Sequence, residues 1–203
     1  VKLLAATRST GKQREIRRIL ESAGHEVVFP DDVGIVERSE EELLEHESTF
    51  EGNARRKAEY FIRLHGLPTF ADDSGLEVLS LGGAPGVRSK RFAGVAGSGP
   101  QVDAANSAEL VRRLAGAPEN RRTARYRCAI VLLRRVGAVP EVFEGQTAGR
   151  ILEAPIGDGG FGYDPWFWST ELGKSFGEAT AEEKDAISHR GRALALLLEA
   201  LKS

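Results

Sequence analysis

Thr69-Phe70-Ala71-Asp72-Asp73-Ser74-Gly75-Leu76 joins a short apolar run to two adjacent carboxylates, a small hydroxyl residue and a glycine. Apolar residues resume at Leu76, Val78, Leu79 and Leu81. The pattern predicts a strand with acids at its carboxyl end, then a tight turn into a second strand. In open α/β sheets, chemistry collects just beyond the carboxyl ends of strands. Successive strand side chains point to opposite faces. Asp72 and Asp73 therefore share one pocket only if the chain bends between them, and Ser74-Gly75 is expected to supply the bend. Two close carboxylates repel unless a cation or a proton lies between them. That makes the pair a candidate site for Mg²⁺, a hard ion that takes oxygen ligands and keeps several waters. The same residues also read as an ordinary Asp-Asp-Ser-Gly turn.

The chain around this stretch has 203 residues, 41% of them hydrophobic and 29% charged. That is long enough for a single, well-buried α/β domain over 1–203, with room for two lobes. A formal net charge of −2 offers no global attraction for nucleic acid or an anionic membrane, so neither is an expected partner. Cys128 is the single cysteine. No intrachain disulfide can form, which fits a reducing, cytoplasmic compartment. The longest apolar runs are about six residues, against the roughly 18 that span a bilayer. The first residues contain no basic segment leading into a long apolar one, and no signal peptide is expected.

Upstream, Lys2 to Ala6 reads as a strand and Gly11 to Ala23 as a helix, with Ile16, Ile19, Leu20 and Ala23 on one face and Gly24 ending it. Thr7-Arg8-Ser9-Thr10-Gly11-Lys12 thus lies at a strand-to-helix junction. Hydroxyls, a glycine and a lysine at a helix N-terminus suit a phosphate; they also suit a polar helix cap with an exposed lysine. A true P-loop is excluded, because its first glycine is replaced by Ala6 and its metal-binding hydroxyl by Gln13. His25 to Phe29 is a further strand. The stretch from Glu37 to Glu51 is strongly acidic and reads mostly as a solvated face, from which one or two glutamates can join a metal site. Ser48-x-x-Glu51 has the form of a capping box opening a helix that Gly66 closes. Asn53 and Lys57 lie one turn apart on its flank.

Downstream, Gly82-Gly83-Ala84-Pro85-Gly86 has too much backbone freedom for a regular element, and a mobile basic segment with Arg88, Lys90 and Arg91 follows. Asp103 to Leu114 reads as a helix capped by Asp103. Thr123 to Leu133 reads as a long strand, half covered and then buried, with Val139 to Gln146 as its hairpin partner and Thr147 to Leu152 extending the sheet. The glycine-rich run Gly157–Pro165 carries Phe161 and Tyr163, rings that either fold into the core or stack on a flat ligand. Thr180-x-x-Glu183 is a second capping box. Ser188-His189-Arg190-Gly191 is expected to interrupt the chain before a final helix from Arg192 to Leu201.

Several blocks occur together in one order and spacing: Ala6 to Lys12; Thr49-Phe50 with Asn53-Ala54 and Lys57-Ala58; Ala71 to Leu76; Gly82 to Gly86; Gly160 to Pro165; and Glu182 to Gly191. Through them essentially the whole chain resembles the inosine triphosphate pyrophosphatases, or dITP/XTP pyrophosphatases. The resemblance implies an elongated mixed β-sheet flanked by helices, two lobes with a deep central cleft, and a homodimer. It implies Mg²⁺-dependent hydrolysis of the deaminated purine nucleoside triphosphates ITP, dITP and XTP to monophosphate and pyrophosphate, which cleanses the nucleotide pool. Carried over by position, Thr7, Arg8, Ser9, Thr10, Gly11 and the catalytic Lys12 would hold the triphosphate, with Asn53 and Lys57 also reaching substrate. Asp73 would be general base and metal ligand, joined at the metal by Asp72 and Glu45. Ser74 would touch substrate. Phe161, Gly162, Tyr163, Asp164, Lys184, His189 and Arg190 would hold base and sugar.

The sequence departs from the family pattern at three places. Ser9 stands where Asn is usual, Gly52 where Glu often precedes Asn53, and the residues around Glu45-His46-Glu47 leave Glu47 open as the upstream metal glutamate. Two other activities share these features: a related pyrophosphatase for pyrimidine or modified nucleotides, and a nucleotide sensor without turnover.

Overall fold

The structure, a computed structural model, describes residues 1–202. Among them the strands form one mixed seven-stranded sheet in the order β2-β1-β3-β4-β5-β6-β7. The chain divides into two compact units. The first contains Val1–Asp73, Cys128–Gly145 and the chain from Arg190 onward; the second contains Ser74–Arg127 and Gln146–His189.

In the first unit, β1 (Lys2–Ala5) pairs in parallel with β2 (Glu26–Val28) and with β3 (Thr69–Val78). Helices cover both sheet faces, and the alternation of strand residues sorts the core. Leu3, Ala5 and Phe70, with Cys128, Ile130 and Leu132 of β4 (Thr123–Leu133), pack against α1 (Thr10–Ser22) and α5 (His189–Ala200) through Ile16, Leu20, Leu194 and Leu197. Leu4, Ala6, Ala71, Val131 and Leu133 face the other way, onto Ala54, Ala58, Phe61 and Ile62 of α2 (Phe50–His65). Each of these side chains is nearly solvent-free, and each of the leucines, isoleucines, valines and phenylalanines contributes on the order of 1.5–3 kcal/mol of burial.

The second unit is built on the remainder of β3, β4 and β5 (Glu141–Ile151), with β6 (Phe167–Ser169) and β7 (Lys174–Ser175) added antiparallel. Leu76, Val78, Ala124, Tyr126, Ile151, Phe167 and Phe176 form its core with Leu110 and Leu114, at and just beyond the end of α3 (Pro100–Arg113). The short helix α4 (Ala181–Ile187) carries the expected Thr180–Glu183 capping box.

Several local expectations are corrected. β3 does not turn at Ser74-Gly75; it runs on to Val78 as one strand, because ladder pairing overrides the turn preference of those residues. Helix α2 is capped by Thr49, whose hydroxyl accepts from the Gly52 N–H at 3.0 Å, and not by Ser48. Helix α3 starts at Pro100 behind Gly99, so Asp103 lies inside its first turn and is not the cap. The two segments expected between Val139 and Leu152 are the single strand β5. Gly86–Arg91 forms a 3-10 turn fixed by the buried Ser89, which accepts from Leu76 N and donates to Gly86 O. Helix α5 begins at His189 rather than Arg192, which puts His189 and Arg190 in a first helical turn instead of a break.

Candidate active site

Continuous β3 pairing separates the two carboxylates. Asp72 follows Phe70 onto the face covered by α1 and α5, and Asp73 follows Ala71 onto the face covered by α2. Their side chains lie on opposite faces of the strand. Both are buried, at 1% and 7% exposure, so each needs its own charge partner.

On the α1/α5 face, Asp72 Oδ2 meets Lys12 Nζ at 3.0 Å and accepts from Arg190 Nε at 3.1 Å. Arg190 Nη1 also makes a very short ion pair to the buried Glu15. Burial alone would raise the Asp72 pKa, but Lys12, then Arg190 and Lys57, outweigh it and hold the carboxyl well below the usual carboxylate range. Burial disfavours the Arg190 cation, yet Asp72 and Glu15 overcome that and keep it charged. Burial pushes the nearby Cys128 thiol up, and the Asp72 charge adds to the shift; it is a neutral core thiol whose Sγ lies 4.0 Å from Asp72 Oδ2.

On the α2 face, Lys57 Nζ lies 2.8 Å from Glu45 Oε1, 2.7 Å from the Asp72 carbonyl and 3.8 Å from Asp73 Oδ1. Asn53 Nδ2 donates to Asp73 Oδ2 at 2.8 Å. Burial raises the Asp73 pKa, with Lys57 and Lys12 offsetting only part of the shift. For Lys57 burial acts downward, but Glu45, Asp73 and Asp72 together raise it, and the ammonium stays charged.

Among the described residues no group of three His, Cys, Asp or Glu side chains is gathered to hold a metal. The expected triad of Asp72, Asp73 and Glu45 is divided by the sheet. Glu45 and Asp73 both border the Lys57 ammonium, and two carboxylates fit Mg²⁺, which is typically held by one or two carboxylates plus phosphate oxygens. Asp72 faces the other way; its Oδ1 is buried without a hydrogen-bond partner. Glu47 pairs with Arg56 at 2.9 Å, whereas Glu45 pairs with Lys57.

The segment from Thr7 to Lys12 leads into α1. Ser9 is the N-cap residue, but its hydroxyl makes no capping bond. Gln13, which lacks the P-loop hydroxyl, instead donates from Nε2 to the Thr7 carbonyl at 3.1 Å. Arg8 is turned toward acids: Nε and Nη2 bind both oxygens of Glu41 at 2.7 and 2.8 Å, and Asp31 and the Ile35 carbonyl take the rest of the fork. Thr10 is exposed and Gly11 is buried.

The second unit has its own buried pair. Lys184 Nζ lies 2.6 Å from Asp164 Oδ2 and 4.9 Å from the centre of the Phe161 ring. Asp164 Oδ2 also accepts from Phe161 N at 2.8 Å. Gly160 allows this turn, since it has φ of 74° and a Cβ there would collide with the Asp164 carboxylate. Gly162 N donates to Asp103 Oδ2 at 3.1 Å, which is the work Asp103 does instead of capping α3. Tyr163 is a core residue whose hydroxyl donates to Ser89 O at 2.7 Å, whereas Phe161 is part-exposed. His189 stacks on Tyr126, 4.6 Å between centroids and 9° between planes. Ser74, the first residue of this unit, is also part-exposed.

The guanidinium of Arg190, expected at the base, meets Asp72 and Glu15. The sequence alone did not reveal the contacts of Glu15, Gln13, Glu41 or Asp103. Glu15 looks like any polar residue of an amphipathic helix, and only its burial marks it.

A model of the Ham1 family matches residues 3–200. A dITP/XTP pyrophosphatase of Ralstonia nicotianae is 45% identical over 202 residues, covering 99% of this chain and 96% of that protein. Among solved structures, a HAM1 protein from Coxiella burnetii aligns with a TM-score of 0.84 at 32% identity, covering 100% of this chain and 98% of the other. A nucleoside-triphosphatase / dITP/XTP pyrophosphatase from Mycobacterium abscessus aligns at 0.73 and 42% identity, with 98% and 99% coverage.

Proposed function

Because the chain belongs to the Ham1 family, we propose that it hydrolyses the deaminated purine nucleoside triphosphates ITP, dITP and XTP to monophosphate and pyrophosphate. The names of its relatives support the reaction and the substrate class. The observation in the chain itself that carries the reading is Asp73, a buried carboxylate held by Asn53 and set beside the Lys57 ammonium with Glu45.

Asp73 is the general base. It takes a proton from water while the water oxygen bonds to the α-phosphorus; the bond from that phosphorus to the α-β bridging oxygen breaks, and pyrophosphate leaves with the electron pair. Lys57, and a divalent cation when bound, favour the ionised carboxylate that a base must be to accept the proton. Lys57 and Lys12 provide fixed positive charge for the phosphates, with the backbone N–H groups at the start of α1. A divalent cation, taken as Mg²⁺, would be held by Glu45 and Asp73 and would supply neutralising charge to the triphosphate. In the second unit, Phe161 is the stacking ring, and Lys184 and His189 are the donors for the base. The family resemblance extends the reading to a homodimer that acts in the cytoplasm.

The test is pyrophosphate release from ITP, dITP, XTP, GTP, ATP and a pyrimidine triphosphate. Asp73→Asn should lower turnover on ITP by roughly 10²–10⁴-fold. Turnover within tenfold of the parent would remove Asp73 from the base role. Preference for the pyrimidine nucleotide would identify the rival pyrophosphatase, and binding of ITP without pyrophosphate release would identify a sensor.

A further inference from the structure

We propose that Asn53 is a positioning residue for the base, clamping one oxygen of Asp73 so that the other is left as the working oxygen. The inference rests on the assignment of Asp73 above. It moves Asn53 out of the substrate-binding set in which its sequence position put it.

The Asn53 side chain is completely buried, with 0% exposure. Its Oδ1 accepts from the Glu47 backbone N–H at 2.8 Å. That bond decides which end of the amide is oxygen, because a backbone N–H needs an acceptor and an NH₂ group is only a donor. Nδ2 therefore points at Asp73 Oδ2, also at 2.8 Å, and both distances are those of well-formed bonds. The carboxylate torsion of an aspartate is intrinsically broad, and this bond removes its freedom. The two oxygens become unequal: Oδ2 is held by the amide, while Oδ1 faces Lys57 at 3.8 Å.

The same amide does a second job. Glu47 lies between the 3-10 turn Ser39–Glu45 and α2, so one side chain ties the base to the segment that follows Glu45. An asparagine that read substrate would present one end of its amide toward the ligand; this one has each end bonded inside the protein.

The experiment is a double-mutant cycle on the full chain, with kcat and KM for ITP from Asn53→Ala, Asp73→Asn and the double variant. Thermal midpoints verify folding, and Asn53→Ser replaces Asn53→Ala in the cycle if the alanine variant does not fold. Loss of a fixed geometry of this kind costs up to about 100-fold. Asn53→Ala should lower kcat by roughly 10–100-fold with KM within about threefold. In the Asp73→Asn background the same change should alter kcat by less than about threefold, since residues that act as a unit are non-additive. Equal losses in both backgrounds would overturn the inference, as would a raised KM with kcat intact, which is the signature of a substrate ligand. If Asp73→Asn alone leaves kcat unchanged, the base assignment itself fails, and the cycle separates that result from a failure of Asn53.

Discussion

Replacing Arg190 with methionine tests whether the buried ion network on the α1/α5 face holds the first unit together. Methionine keeps a long side chain and removes the guanidinium. The guanidinium is 2% exposed and meets two carboxylates that are themselves 0% and 9% exposed. In the variant Asp72 keeps only Lys12 as a side-chain cation on that face, and Glu15 loses its guanidinium partner. Breaking one partner out of a buried ion pair typically costs 3–5 kcal/mol, because the remaining charge is stranded. For a chain of this length 1 kcal/mol corresponds to about 2–4 °C in midpoint, so the variant should melt roughly 6–20 °C below the parent. Urea unfolding at neutral pH, followed by circular dichroism, provides the free energy. The loss should also depend on pH. Asp72 has a depressed pKa in the folded state, so its stabilisation is fully present above the unfolded value of about 3.9 and disappears as pH falls through the lower folded value. The parent–variant difference should therefore be largest above pH about 4 and shrink in stronger acid. A difference under about 1 kcal/mol, the level of an exposed salt bridge, would show that water already screens the network and would refute the reasoning. So would a difference that grows as the pH falls.

Two further outcomes follow from the same geometry. Ser9→Asn should improve kcat/KM for ITP by up to roughly tenfold, one charge-assisted bond's worth, because the Ser9 hydroxyl makes no capping bond that the longer amide would break; a clear loss of activity would show a loop rebuilt around serine. In the proposed base site, Lys184 and His189 would offer donors to a 6-oxo group and meet the 6-amino group of adenine donor to donor, so ITP or XTP should exceed ATP by at least about 100-fold in kcat/KM, with the ratio falling in Lys184→Met. Comparable rates on ITP and ATP in the parent would refute the donor pocket.

Much of the fold was legible in the chain. The apolar spacing of α1 and α2, the alternation of Thr123–Leu133 and the Thr180–Glu183 box are local signals, and the structure contains each of them. The ordered blocks were enough to identify the family, since that identification needs only residue types and spacing. The rule that neighbouring strand residues face opposite ways was also available from sequence. What sequence did not determine was whether Ser74-Gly75 would bend the chain. A turn preference is local and weak, while strand pairing recruits residues far away in the chain, and the ladder prevailed. That outcome divides Asp72 from Asp73 and gives each its own partners. Those partners were invisible for the same reason. Arg190 lies 118 positions from Asp72 and 175 from Glu15, and no spacing rule reaches so far. Burial is a property of the packed chain, so a glutamate on α1, an arginine at the head of α5 and an asparagine on α2 look like ordinary polar residues until packing excludes water around them and makes their charges and hydrogen bonds answer to one another.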